Sequence, residues 1–501
     1  MPARDARPLD VDVLVIGAGI SGIDVAVRLD EQAPDHTWAI IEAREAVGGT
    51  WDLFRYPGIR SDSDMYTLAF PFKPWRGEKS IAEGADIRAY LEETVEEFGL
   101  ADRIHHGQRA VAADWSSADQ RWSVQVRTAA GLLTHRARFL YLASGYYSYD
   151  RGHVVDFPGA ADFPGPVIHP QEWPQDLEVA RRRVVVIGSG ATAVTLVPAL
   201  VERGAAQVTM LQRSPSYVAV RPARDRLARA LHRVLPPEAA HRVARAKNGT
   251  SAVLTYAAAR RLPGLAKAML ARDARRRLPQ GYAVDRHFAP RYDPWDERVC
   301  LVPDGDLFAA ISAGRAEIVT DTVERFDATG IRLGSGGHLD ADVIVTATGL
   351  VLETAGGIRP TVDGVPMAAR DRFSYKGLML SDVPNLLWCI GYANNSWTLR
   401  ADLSAQWFTR LLRHLSAHSL GVAVPRRSPA DPSAAQADPA STLTSGYFQR
   451  AADELPRAGD RAPWRVRQNW LIDAARMRGG RIDDGVLEFH PRRSAAEGSA
   501  G

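Results

Sequence analysis

Residues 11–22 read VDVLVIGAGISG. The run Val11 to Ile16 is short, rich in β-branched residues and apolar on both faces, as expected of a parallel strand buried between two layers. It enters Gly17, Gly19 and Gly22 in the spacing G-x-G-x-x-G, and a helical pattern follows over residues 23–32. Twenty residues beyond Gly22, at the end of the next apolar run (Trp38 to Ile41), stands Glu42. Strand, glycine turn, helix and carboxylate together predict a dinucleotide-binding unit. The glycines allow a tight turn and close approach to a pyrophosphate, helix-terminal N–H groups face the phosphates, and Glu42 takes ribose hydroxyls.

The arrangement repeats. Arg183 to Ile187 (RVVVI) enters Gly188, Gly190 and Ala193, and twenty residues beyond Ala193, after the run Val208 to Leu211, comes Arg213. The spacing is the same and the charge is opposite. A carboxylate there would repel the 2′-phosphate of NADPH, whereas a guanidinium grips it through charge-assisted hydrogen bonds worth about 1.5–3 kcal/mol. Ser214 is a second candidate donor. Glu42 suits an unphosphorylated ribose, so the first unit is expected to hold FAD and the second NADPH. A solvent-facing arginine at a strand end is the plain alternative for Arg213.

Two further apolar runs, Arg138 to Gly145 and Asp342 to Gly349, each close on Ser or Thr and then Gly, suiting crossovers between units. The expected class is therefore α/β, with two Rossmann-like domains, the second inserted in the first, and a helical subdomain. The boundaries are set at 1–150 with 350–501 for the FAD domain, 151–220 with 290–349 for the NADPH domain, and 221–289 for the helices. A chain of 501 residues is long enough for this division.

Composition narrows the setting. No run of eighteen apolar residues occurs and no secretory h-region precedes Val11, so neither a spanning helix nor an export signal is expected. The two cysteines, Cys300 and Cys389, are too far apart in sequence for a Cys-x-x-Cys pair or a zinc set; they fit a reducing cytosol, and no metal is expected. Between Arg221 and Gln280, thirteen Arg and two Lys face three acidic residues, a net charge of +12, while the remainder carries −9. This stretch is helical in pattern and broken by Pro236, Pro237 and Pro263; Leu227, Leu231 and Val234 share one face while Arg226, Arg229 and Arg233 point elsewhere. Solvated faces on a helical subdomain are the expectation. Peripheral membrane association remains open, although arginines dispersed over several helices would not all reach one surface. Nucleic-acid binding is disfavoured by the acidic remainder. Residues 425–441 read as a surface loop, and the tail from about Arg492 as disordered.

Between the units lies FPGPVIHPQEWP (residues 163–174), with Phe163, Gly165, His169 and Trp173 in the spacing F-x-G-x-x-x-H-x-x-x-W-P. Alone it could be a linker whose Phe163 and Trp173 dock into a core. Flanked by two dinucleotide units, it resembles the fingerprint of Baeyer-Villiger monooxygenases, class B flavoprotein monooxygenases that use FAD, NADPH and O2. Gly49, Trp51, Tyr56, Pro57, Gly58 and Asp62 match a second motif of that family. Long stretches between Val11 and Phe489 resemble its ethionamide-activating subgroup.

The resemblance implies insertion of one oxygen atom from O2 into ketones, giving esters or lactones, and oxidation of sulfides and thioamides to S-oxides, through a C4a-peroxyflavin. It implies Arg298 as the catalytic cation, Asp62 as its partner, Gly49 and Trp51 beside the flavin, and His169 and Trp173 as residues holding the two cofactor domains in register. Trp397, Thr398 and Leu399 are implied to face the substrate. Two departures stand out: Glu297 occupies a position where the family often carries Lys, and Ser144 replaces the commoner Thr of the first crossover. An N- or S-oxygenating flavin monooxygenase without ketone activity is the alternative, against which Trp173 argues. From another class, an NADPH-sensing flavoprotein with degenerate catalysis is opposed by the presence of Arg298 and Asp62.

Overall fold

The computed structural model describes residues 7–297, 299–428, 438–439, 446–451 and 454–493. Arg298, most of the expected loop 425–441 and the tail beyond Arg493 lie outside the described residues.

The strand Asp10–Ile16 forms as its composition predicts, with Val13, Leu14 and Val15 fully buried. It pairs in parallel with Trp38–Ile41 on one side and with the second half of Gly131–Leu142 on the other. Ile104–His105 extends one edge. Leu386–Trp388, from far later in the chain, pairs in parallel beside Leu140 to Leu142. The first half of Gly131–Leu142 turns antiparallel to Arg121–Thr128, which pairs in turn with Arg109–Ser116. One face is covered by the helices Ile20–Gln32 and Trp397–Ala417, tied by Arg28 Nη2 donating to Asp402 Oδ1 at 2.7 Å.

A second sheet, wholly parallel, runs in the order Ala316–Thr320, Gln207–Gln212, Arg183–Ile187, Val343–Thr346, Val167–Ile168. This is the second Rossmann-type unit that the repeated spacing predicts. Each unit pins its first glycine against its own crossover. A Cβ on Gly17 (φ +105°) would stand 2.8 Å from the Ala143 carbonyl oxygen, and one on Gly188 (φ +137°) 2.4 Å from that of Ala347. Only glycine fits either place without strain.

Past each crossover the chain forms a strand, Tyr147–Gly152 in one case and Leu350–Leu352 in the other, and these two pair antiparallel as the ribbon joining the sheets. Residues 163–174 brace this ribbon. Val167–Ile168 is the edge strand of the second sheet, and Phe163 and Trp173 are buried in separate cores. A Cβ on Gly165 would meet the Asp342 carbonyl oxygen at 2.6 Å, so the bend needs glycine.

The basic region forms helices Arg226–Val234, Pro237–Arg261 and Pro263–Arg277, with Pro237 and Pro263 in first-turn positions where no N–H is required. One expectation fails here. Arg245 is not solvated: it is buried and donates to the carbonyl oxygens of Thr67 (2.8 Å) and Ala69 (2.6 Å), seating the long helix on the first unit. A carbonyl cage compensates its desolvation through charge-assisted bonds.

Candidate active site

A cleft of about 1400 Å³ opens between the two glycine turns, walled on its third side by the basic helices. On the first unit, helix Ile20–Gln32 starts at Gly19 with no side-chain cap, leaving its N–H groups available to an anion. A Cβ on Gly22 would lie 1.9 Å from the Gly17 carbonyl oxygen, and one on Gly49 (φ +57°) 3.1 Å from the Gly19 Cα. Side chains at these glycines would fill or distort the cradle. Glu42 is buried at the end of its strand; Oε2 accepts from the Ala18 N–H at 2.7 Å and Oε1 from the Arg44 N–H at 2.9 Å. Burial raises its pKa and the two backbone bonds oppose that rise. Each oxygen keeps a lone pair for a hydroxyl. An FAD pyrophosphate and ribose fit this donor and acceptor set.

The second turn is built alike. Helix Ala191–Glu202 begins at Gly190 without a side-chain cap, and a Cβ on Gly190 would meet nothing within 4 Å, so the space before the turn is open. Ala193, in the third glycine position, is buried in the first turn of this helix. Arg213 and Ser214 are exposed just beyond the strand Gln207–Gln212, and the Ser189 hydroxyl ties the glycine turn to them by donating to the Ser214 carbonyl oxygen at 3.1 Å. The placement suits a 2′-phosphate. Glu297 lies within the electrostatic reach of Arg213: burial and then Asp296 raise its pKa, and Arg213 lowers it.

The loop Tyr56 to Asp62 spans the two units. A Cβ on Gly58 (φ +74°) would sit 2.7 Å from the Ala199 Cβ and 2.8 Å from the Thr195 carbonyl oxygen, so the loop lies flat on the second unit's helix. Two residues on, Arg60 pairs with Asp306 at 2.5 Å. Tyr56 is buried against the same helix, its phenol pushed up to about 12 by burial. Asp62 and Trp51 both line the cleft, as does Val299, the neighbour of Arg298. The Arg298 side chain itself lies outside the described residues.

Trp397 also reaches the cleft, with its Nε1–H donating to Ser21 Oγ at 2.7 Å and its ring stacked on Tyr146 at 5.3 Å. Thr398 and Leu399, expected beside it, do not line the cleft. Trp397 opens a helix, whose next two side chains rotate away: both are fully buried, and the Thr398 hydroxyl donates to the Thr67 carbonyl oxygen at 2.6 Å. Sequence reasoning missed what supports this loop. Tyr392 Oη and Arg400 Nη1 both donate to Asp473 Oδ2 at 2.8 Å, a buried anchor between segments some seventy residues apart. The run of tyrosines after Gly145 was the visible signal for Tyr146.

His169 lies outside the cleft. Its Nδ1 accepts from the Gln171 N–H at 3.2 Å, so the neutral ring carries its proton on Nε2 and donates to the Gly349 carbonyl oxygen at 3.1 Å. Burial lowers its pKa. Among the described residues no His, Cys, Asp or Glu group is arranged to hold a metal.

A profile of the family described as "Pyridine nucleotide-disulphide oxidoreductase" matches residues 14–225. Both cysteines of this chain are buried and free, so the match concerns the dinucleotide units. The FAD-containing monooxygenase EthA of Mycobacterium tuberculosis H37Rv is 48% identical over 482 residues, covering 96% of this chain and 98% of the relative. An oxidized steroid monooxygenase bound to NADP superposes with a TM-score of 0.74 at 22% identity, covering 96% and 100% of the two chains. A cyclohexanone monooxygenase with bound ε-caprolactone gives 0.71 at 20% identity, covering 96% and 99%.

Proposed function

The chain belongs to the FAD-containing monooxygenases represented by EthA, and from that membership we propose that it inserts one oxygen atom from O2 into ketones, giving esters or lactones, and oxidises sulfides and thioamides to S-oxides, at the expense of NADPH. The observation that carries this reading is convergence: Gly19 of the first turn, Ala191 and Thr192 directly after the second, Trp51 and Asp62 all line one cleft in a chain related to EthA over nearly its whole length. Two solved neighbours of the same fold carry NADP and a lactone respectively, the cofactor and product type expected here.

FAD would be held by the turn Gly17 to Gly22, by Gly49 and by Glu42; NADPH by Gly188, Gly190, Arg213 and Ser214. Bound FAD, reduced by NADPH, supplies activated oxygen. The chain's own part is to hold a fixed cation where negative charge develops. Arg298 takes that role by motif, because a guanidinium stays charged at working pH and needs no reorganisation as the ketone oxygen gains charge. Asp62 aims it and moderates its charge. Residues 1–150 with 350–501 form the FAD domain in this reading, 151–220 with 290–349 the NADPH domain, and 221–289 the helical subdomain. Two buried free cysteines suit a cytosolic setting.

The test is turnover of a paired ketone and sulfide, with NADPH, O2 and products all measured. Ester matched to NADPH consumed supports the assignment. Sulfoxide without ester would mark an S-oxygenating enzyme, and no oxygen-dependent product would mark a sensor.

A further inference from the structure

Helix Arg226–Val234 carries Leu227, Leu231 and Val234 along one stripe. A surface helix normally turns such a stripe to the core. Here only Ala228 is buried, while Leu227 is 52% and Val234 77% exposed. The last of the three helices and the residue before it repeat the pattern: Leu262, between the second and third helices, is 56% exposed, and Leu265 and Met269 on the third are 58% and 63% exposed. Leu227, Leu262, Leu265 and Met269 also line the cleft. All four are more than half exposed, so the helical side of the cleft presents large apolar groups to open space. Apolar patches of this kind mark interaction surfaces.

Charge selects the occupant. Arg221, Arg224 and Arg226 line the same cleft, Arg224 paired with Glu78 at 2.8 Å, and Arg261, Arg272 and Arg276 are exposed on the same helices. Two copies meeting through this face would bring like charges together, which disfavours self-association. Apolar side chains interspersed with arginines match the boundary between anionic headgroups and acyl chains.

We propose that the mouth of the cleft seats on an anionic lipid surface, with Leu262, Leu265 and Met269 entering the headgroup and acyl boundary and the nearby arginines meeting lipid phosphates. The cleft then opens toward the phase in which apolar ketones and sulfides concentrate. Among the described residues no helix is long and apolar enough to cross a membrane, so attachment is peripheral. Lipid binding stands apart from the oxygenation reading; delivery of substrate from the bilayer rests on it.

The experiment is co-sedimentation of the full-length, FAD-loaded protein with vesicles of phosphatidylcholine alone or mixed with phosphatidylglycerol, at low and high salt. Retention on the anionic vesicles, weakened by salt, is expected. Leu265→Ser with Met269→Ser should lower it about tenfold, and Arg261→Gln or Arg272→Gln about fivefold each. Flavin content and thermal midpoint report whether each variant has folded. A wild-type protein left in the supernatant with anionic vesicles, or a folded double variant retained equally, overturns the proposal. So does sedimentation velocity without lipid showing an oligomer that the double variant disperses, which would give this face to a second copy. Because binding is read without turnover, its failure is separate from failure of the oxygenation assignment.

Discussion

The imidazole of His169 donates through Nε2 to the carbonyl oxygen of Gly349 at 3.1 Å, fastening the edge of the second sheet to the point where the chain leaves that sheet for the first. The same ring lies so close to Gly152 that a Cβ there would fall 1.9 Å from its Cε1. Gln171, two residues on, donates from Nε2 to the Ser148 carbonyl oxygen at 3.0 Å. One short segment thus grips both strands of the connecting ribbon, so its residues position the two units and do not move protons in the cleft.

His169→Ala should therefore leave FAD binding intact and lower the yield of product per NADPH oxidised, with Trp173→Ala acting in the same direction. The ratio of product to NADPH consumed is the measurement. Unchanged coupling in both variants would reduce the segment to packing.

Stability should fall with acid. His135 and His241 are both pushed down to about 4, by burial first and by neighbouring His105 and Arg245 respectively, and burial lowers His169 as well. A histidine whose folded pKa is depressed binds fewer protons folded than unfolded. Its stabilisation is complete above the unfolded value near 6.5 and is lost as pH falls toward the folded one. Denaturant midpoints should drop steadily from about pH 6.5 toward pH 4.5, and His135→Gln should flatten the slope. A flat profile in the parent protein would contradict these assignments.

Arg298→Ala should preserve reduction of the flavin by NADPH and cut ester formation about a hundredfold to a thousandfold, the usual cost of removing one stabiliser of a developing oxyanion. Reductive rates by stopped flow and ester yield by chromatography separate the two effects. Normal ester formation would remove Arg298 from the chemistry.

Cofactor preference should depend on Arg213 and its acidic neighbour. Arg213→Ala should raise the Michaelis constant for NADPH about tenfold or more with little change for NADH. Glu297→Gln should lower the NADPH constant, because it removes a carboxylate whose field reaches Arg213 and would oppose a phosphate there. An equal effect on both cofactors would mean that Arg213 does not read the 2′-phosphate.

Gly58→Val tests the contact between the units. With φ at +74° and the Ala199 Cβ at 2.7 Å, a branched side chain must push the loop off the second unit's helix. Flavin content should persist while NADPH-driven reduction slows at least about tenfold. Undiminished reduction would show that the loop tolerates displacement.

Sequence alone determined the two Rossmann-type units, because a buried parallel strand, its glycine turn and a charged residue twenty positions on are local and periodic signals. Spacing also singled out Glu42 and Arg213, and the motif resemblance singled out Asp62, as the charged residues to look for around the cofactors. Tertiary structure decided what no spacing encodes. It turned Thr398 and Leu399 away from the cleft that Trp397 faces, because a helix starts at Trp397. It buried Arg245 among backbone carbonyls in a stretch that reads as solvated, and left the apolar stripe of Leu227 and Val234 exposed where an amphipathic helix would ordinarily hide it. A pattern of residues states which faces a helix has; only packing against segments far along the chain settles which of those faces meets water.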